Sequence, residues 1–232
     1  MTSGPEPNAV EVRHAERVYD GPEGPVVALG GVDLVVEPGT MVAVQGRSGS
    51  GKTTLLNLVG ALDQPTAGEI SVFGRRIDSL TPGAAASWRA KTLGFVFQAH
   101  ALMPAMTALE NVDLGLRIAG TDRREADRRA RESLERVGLG DRFNHRPAEL
   151  SGGQQQRVAV ARAIATGNRL LLADEPTAGL DSSAAGDVFA MLRSLVDDSG
   201  MTILMATHDP LTDEYVDAAT HLEGGRLKVD RI

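Results

Sequence analysis

Short apolar runs bounded by turn residues alternate along this chain with longer stretches whose apolar positions recur at helical spacing. Met41-Val42-Ala43-Val44-Gln45 has the length and composition of a buried strand, and Thr54-Leu55-Leu56-Asn57-Leu58-Val59 begins a helix. Strand-like segments precede them around 10–12 and 28–36, separated by the turn-rich Asp20-Gly21-Pro22-Glu23-Gly24-Pro25. Further on, the pattern predicts a strand over 69–73, a helix over 82–91 and a buried strand over 93–97. From Thr107 to about Leu195 it is mostly helical, interrupted by the continuous apolar strand Arg169-Leu170-Leu171-Leu172-Ala173. A helix over 183–198 then leads to a strand over 201–206. Strands alternating with helices imply an α/β fold on a mainly parallel sheet, and the mid-chain helical block implies a subdomain inserted at about 99–165. Residues 1–8, polar and containing Pro5 and Pro7, are expected to form a disordered tail, leaving 9–232 as one domain.

Composition narrows this picture. With 232 residues, 42% of them hydrophobic, the chain can build one large α/β core with a small subdomain. A net charge of −7 argues against a nucleic-acid-binding surface. The absence of cysteine excludes a disulfide framework, a thiolate metal site and a cysteine nucleophile. The first residues lack a signal-peptide pattern, and no apolar run approaches the ~18–20 residues that span a bilayer. A soluble protein is expected, whose membrane role, if any, comes through a partner. The arginines of 121–137 are nearly cancelled by Asp122, Glu125, Asp127, Glu132 and Glu135. Ala126, Ala130, Leu134 and Val137 recur at helical spacing there, which predicts a solvated amphipathic helix.

The chemistry begins at Gly46-Arg47-Ser48-Gly49-Ser50-Gly51-Lys52-Thr53, a complete G-x-x-x-x-G-K-[ST] phosphate loop between strand and helix. Glycines let successive backbone N–H groups turn towards one anion, and the helix dipole points its positive end at the same phosphates. Lys52 can reach the β- and γ-phosphates, the Thr53 hydroxyl is placed to ligate Mg²⁺, and Thr54 completes the ATP-binding set. The chain has only Lys52, Lys91 and Lys228 against 21 arginines, so a lysine here marks a place that requires a compact point charge.

Two further constellations follow. Leu170-Leu171-Leu172-Ala173-Asp174-Glu175 is an apolar strand ending in two carboxylates. There Asp174 is placed to hold Mg²⁺, and Glu175 to orient and polarise a water as general base. Leu150-Ser151-Gly152-Gly153-Gln154 leads into a helix over 154–165, a second anion-binding geometry. One phosphate chain does not need two such cradles from one subunit, so the second is expected to serve a nucleotide held by another subunit.

Leu150-Ser151-Gly152-Gly153-Gln154 resembles the signature of ATP-binding-cassette ATPases, in that family's order after the phosphate loop and before the Asp-Glu strand end. The resemblance covers the chain from about Val10 to Leu227. It implies a P-loop NTPase core with an N-terminal antiparallel β subdomain and an inserted α-helical subdomain. It also implies ATP hydrolysis with ATP and Mg²⁺. By the same resemblance Tyr19 stacks on adenine, and Gln98 touches Mg²⁺ and the attacking water while sensing a membrane partner. Asp181 crosses the dimer interface and His208 contacts the γ-phosphate. Arg47 stands where proline is common in the family, and Ala178-Gly179 replaces a more usual small pair; neither change removes a ligand. His14, His100, His145 and His221 carry no motif.

The stretch Gln98 to Val112, Q-A-H-A-L-M-P-A-M-T-A-L-E-N-V, resembles the group of macrolide exporters, lipoprotein-release ATPases and the cell-division ATPase. That implies an ATPase on the cytoplasmic face of the membrane, attached through an integral permease on a separate chain and closing as a homodimer or heterodimer. Amino-acid importer ATPases are the alternative branch, and a soluble nucleic-acid-associated cassette is the remote one. Leu102, Met103 and Met106 are expected to form a soft apolar patch beside Gln98 for a permease helix.

Overall fold

Period-two alternation in the central strands feeds two hydrophobic interiors at once. The computed structural model describes residues 6–228. β3 (Met41–Gln45), β7 (Leu170–Asp174) and β8 (Thr202–Thr207) are buried at every position. Their alternate residues diverge: Met41, Ala43, Leu171, Ala173, Ile203 and Met205 enter one cluster, and Val42, Val44, Leu170, Leu172, Leu204 and Ala206 the other. A strand covered on both faces must be apolar throughout, which is why these segments read as continuous runs.

Among the described residues the main sheet has the order β10-β9-β3-β8-β7-β6, with β6 at Leu93–Val96, β9 at Ala218–Glu223 and β10 at Arg226–Lys228. Pairing is parallel from β6 to β9, and β10 returns antiparallel to β9. The smaller antiparallel sheet has the order β2-β1-β4-β5, from β1 (Val10–Gly21), β2 (Gly24–Val36), β4 (Ala67–Val72) and β5 (Arg75–Arg76). Between the two sheets lies α1 (Lys52–Val59), which buries Leu55, Leu56, Leu58 and Val59 against both. The other cluster joins the main sheet to α6 (Ser182–Ser199) and to the helical subdomain, α3 (Ala108–Ile118), α4 (Arg123–Arg136) and α5 (Gly152–Ile164). α2 (Pro82–Thr92) is capped by the Thr81 side chain and places Trp88 in the cluster that α1 fills.

Local chemistry starts the subdomain helices. Thr107 and Glu110 form a reciprocal capping box on α3, as Ser151 and Gln154 do on α5, and Asp181 caps α6 by accepting from Ala184 N. α4 has the expected form. Its Arg128–Glu125, Arg128–Glu132, Arg129–Glu125 and Arg131–Asp127 pairs lie on the solvent side while Ala126, Ala130 and Leu134 are buried.

Several boundaries differ from the sequence reading. β1 and β2 run on through the expected turn to a tight hairpin at Gly21 and Gly24, because backbone pairing continues past register shifts that side-chain patterning does not reveal. α1 opens at Lys52 and α5 at Gly152. β9 and β10 were not anticipated; of β9 only Leu222 is buried, which leaves no apolar run to detect. Of the tail expected over 1–8, residues 1–5 lie outside the described residues, and Glu6 accepts from the Arg169 guanidinium at 2.6 Å. Among the described residues no helix is long and apolar enough to cross a membrane.

Candidate nucleotide site

The strand order brings the carboxyl ends of β3, β8 and β7 side by side, and each continues into a functional turn. β3 leads into the phosphate loop, whose Gly51 has φ +107°; a Cβ there would stand 2.4 Å from the Ala28 carbonyl oxygen, so only glycine fits. Lys52, 7% exposed, donates from Nζ to the Gly46 carbonyl at 2.6 Å and lies 3.3 Å from Glu175 Oε1. The Thr53 hydroxyl donates to Asp174 Oδ2 at 2.8 Å.

β7 delivers Asp174 and Glu175. Glu175 has φ +48°, a left-handed conformation unusual for a side-chain-bearing residue. It is held there by its own N–H, which donates to the Ala206 carbonyl at 2.8 Å. The turn aims its carboxylate between two side chains of the site: Oε1 faces the Lys52 ammonium, and Oε2 lies 2.9 Å from His208 Nδ1 while accepting the His208 backbone N–H at 3.3 Å. His208 follows β8 and is exposed. A brace joins these turns, with the Thr177 hydroxyl donating to Asp209 Oδ2 at 3.0 Å. Sequence reasoning passed over Thr177 and Asp209, which flank recognised motifs and carry no signal alone.

Two polar atoms in this region are buried without a hydrogen-bond partner among the described residues, Ser50 Oγ and Asp174 Oδ1. Burial pushes the Asp174 carboxyl up and the neighbouring Glu175 charge adds to this, while the Thr53 hydrogen bond and Lys52 oppose it. An orphaned carboxylate oxygen beside a threonine hydroxyl, behind a phosphate cradle, suits Mg²⁺, which binds through one or two protein oxygens plus substrate phosphates. No cluster of three or more metal-binding side chains occurs among the described residues. Thr53 and Asp174 therefore fit a metal that arrives with its nucleotide.

The loop faces a cavity of about 960 Å³ lined by residues 46–54 together with Gln98, Glu175, Pro210 and His208. Val26, Val27 and Ala28 of β2, Gln45, Asp213 and His221 also line it and were not foreseen. Val26 and Val27 are 56% and 57% exposed, an apolar pair left uncovered on a hairpin, and no sequence pattern marks them. Asp174 sits outside the lining, behind Thr53. Tyr19 is also outside it: the Tyr19 hydroxyl donates to Asp63 Oδ2 at 2.7 Å, and the Arg17 guanidinium lies 4.4 Å over its ring.

The signature residues do not join this cavity in the same chain. Ser151 and Gln154 satisfy each other in their capping box at the exposed start of α5. Gly152 and Gly153 pack against Leu180 and Ala184, which flank Asp181, so the signature and the Asp181 turn share one surface. In the segment after Gln98, Met103 is 51% exposed, whereas Leu102 and Met106 are half-buried and Leu102 packs against the helical core. Asn111 holds this segment by accepting from Met103 N and donating to the carbonyls of Met103, Met106 and Thr107. Arg162 holds its start, donating to the carbonyls of His100 and Ala101.

Comparison with known proteins places these features in context. The ABC transporter family profile matches residues 29–178. A lipoprotein-releasing system ATP-binding protein, LolD 2 of Caulobacter vibrioides, is 47% identical over 221 residues, covering 95% of this chain and 97% of that protein. The macrolide export ATP-binding/permease protein MacB of Salmonella typhimurium is 43% identical over 94% of this chain, which corresponds to 34% of that longer protein. Among solved structures, the dimeric ATP-binding cassette MJ0796 in a post-hydrolysis state with ADP and Pi superposes with a TM-score of 0.86. It shares 38% identity and covers 94% of this chain and 96% of that one.

Proposed function

The chain belongs to the ABC transporter family, and on that premise we propose that it is the ATP-hydrolysing subunit that drives a separate membrane permease. The observation that carries this reading is the meeting of Lys52, Glu175 and His208 at one cavity, on three turns far apart in sequence. Similarity to LolD 2 and MacB supports the lipoprotein-release and macrolide-export group over an amino-acid-importer branch. It equally supports a location on the cytoplasmic face of a membrane, held there by the permease.

The roles proposed combine this geometry with those that the family resemblance implies. Lys52 and the N–H groups of residues 46–54 hold the polyphosphate, and His208 contacts its terminal group. Thr53 and Asp174 would hold Mg²⁺, with Gln98 also lining the cavity; the metal, when bound, would neutralise charge on the β- and γ-phosphates. Glu175 takes a proton from the attacking water on its carboxylate as that water's oxygen bonds to the γ-phosphorus and the bond to the leaving ADP oxygen breaks. Tyr19 offers its ring to the adenine.

The signature requires a second subunit. Ser151 to Gln154 lie outside the cavity of their own chain, and the MJ0796 cassette is a dimer, which supports head-to-tail pairing with each nucleotide sandwiched between Lys52 of one copy and Ser151 of the other. Phosphate release from ATP by the purified chain, compared with Glu175→Gln, tests the enzymatic reading. Copurification with a membrane permease tests the coupling. Wild-type hydrolysis by the Glu175→Gln variant would remove the assigned base.

A further inference from the structure

The β1–β2 hairpin is stitched to the loop after α1 by a small charged cluster. The Tyr19 hydroxyl and Arg17 Nε both donate to Asp63 Oδ2, at 2.7 and 2.9 Å. Arg17 Nη2 lies 2.9 Å from Asp63 Oδ1, and the same oxygen accepts the Gln64 N–H at 2.8 Å. Arg17 and Asp63 are 24% and 25% exposed, so this pair is less screened than the pairs on α4. Two backbone contacts seal the seam: Val18 N donates to Thr66 Oγ1 and Thr66 N to the Glu16 carbonyl.

Asp63 is in turn fastened to α1. The N–H groups of Leu62 and Asp63 donate to the Asn57 carbonyl at 2.8 and 3.3 Å. Asn57 lies in the helix whose first two residues are Lys52 and Thr53. One carboxylate therefore connects the Tyr19 ring to the helix that opens on the phosphate loop. Tyr19 pairs with Val26 across the hairpin, and Val26 lines the nucleotide cavity, so the tethered ring stands at the cavity rim.

We infer that Asp63, assisted by Arg17, is the positioning residue that fixes the Tyr19 ring as the base platform and sets its distance from the phosphate cradle. The inference rests on the reading that Tyr19 stacks the base. A ring on an exposed hairpin loses rotamer freedom when a base stacks on it; a ring already tethered has lost that freedom beforehand. The bond to Asp63 is charge-assisted and stronger than one between neutral groups. Burial pushes the Asp63 carboxyl up, but hydrogen bonds from Tyr19 and Gln64, with Arg17, hold it below its ordinary value, so it remains an acceptor at neutral pH. Arg17 covers one face of the ring, leaving the other for the base.

The experiment compares Tyr19→Ala, Tyr19→Phe, Asp63→Asn and the Tyr19→Phe/Asp63→Asn double variant by KM and kcat for Mg-ATP. Inhibition by Mg-tripolyphosphate, which has no base, is measured alongside. The expected result is a rise of about 3- to 10-fold in KM for Tyr19→Phe and for Asp63→Asn, the worth of one hydrogen bond. The double variant rises no further, kcat changes little, and tripolyphosphate inhibition is unaltered. A KM that rises in Tyr19→Ala but in neither Tyr19→Phe nor Asp63→Asn overturns the tether and leaves base stacking standing. An unchanged KM in Tyr19→Ala overturns the stacking reading itself. Equal weakening of ATP and tripolyphosphate also overturns the inference, because Asp63 would then only be holding the loop. Should Asp63→Asn fail to fold, Tyr19→Phe, which keeps the ring, decides alone.

Discussion

Nζ of Lys52 lies 3.3 Å from Oε1 of Glu175, so the cation of the phosphate loop and the carboxylate assigned as base neutralise each other across the cavity floor. Both side chains are largely buried, 7% and 13% exposed, and neither charge can be left without a partner cheaply. On the proposed function, a polyphosphate entering the loop would compete with Glu175 for Lys52 and free the carboxylate to face water.

Glu175→Gln is accordingly expected to lower hydrolysis by roughly 10²–10⁴, the usual worth of a positioned base. Its affinity for Mg-ATP should be at least that of wild type, because Lys52 loses its competing carboxylate. Lys52→Ala should instead weaken binding. Isothermal titration and single-turnover phosphate release separate the two effects; weaker ATP binding by Glu175→Gln would refute the competition.

Ser151→Arg should bind nucleotide as a single subunit almost normally yet fail to close a dimer or turn over. In the proposed shared site the added side chain would stand where the partner's phosphates sit, while Gln154 keeps its bond to the backbone N–H of residue 151. ATP-dependent dimerisation by size-exclusion chromatography, in the Glu175→Gln background, reads this directly. A variant that still dimerises with ATP contradicts the shared site.

Asp174 predicts a pH dependence. Its carboxyl is raised in the folded chain, mainly by burial, so between the ordinary carboxylate value and the raised one the folded state binds more protons than the unfolded state. Stability from this group is therefore greatest below that window and falls as pH rises through it. In thermal melts without nucleotide, Asp174→Asn should gain on wild type as pH rises through the window. With Mg-ATP at about a hundredfold over Kd, wild type should gain ~2.7 kcal/mol. The variant should gain far less, having lost a metal ligand. A constant difference between the two melts across pH would count against the burial argument.

Replacing Met103 and Met106 with Glu should leave the isolated subunit's hydrolysis nearly unchanged and abolish assembly with the permease. Exposed Met103 is the sensitive position; Leu102, packed inward, is expected to affect folding more than docking. Undiminished copurification of the permease would exclude this surface.

The parts of the site legible in the sequence are those whose physics is local. The phosphate loop needs glycines and a lysine at set spacings, the α3 and α5 caps need partners three residues apart, and β3, β7 and β8 need unbroken apolar runs. Features built by distant segments were not legible. β9 and β10 carry too little buried surface to show a pattern, and Val26, Val27, Asp213 and His221 enter the cavity only through the packing of other elements.

Lys52 and Glu175 were identifiable as residues of a nucleotide site from the chemistry of phosphate binding and their local spacing, whereas His208 was picked out only by the resemblance to ATP-binding-cassette ATPases. That Glu175 bridges the other two was decided by the strand order, which sets β8 between β3 and β7 and brings their carboxyl ends together. Tyr19 shows the same division. Its aromatic character is written in the chain, but its hydroxyl's bond to Asp63, 44 residues away, exists only because the hairpin folds onto the end of α1. Sequence spacing specifies what a segment can bind; only pairing between segments specifies which groups meet, because those contacts come from burial of surfaces that no single segment contains.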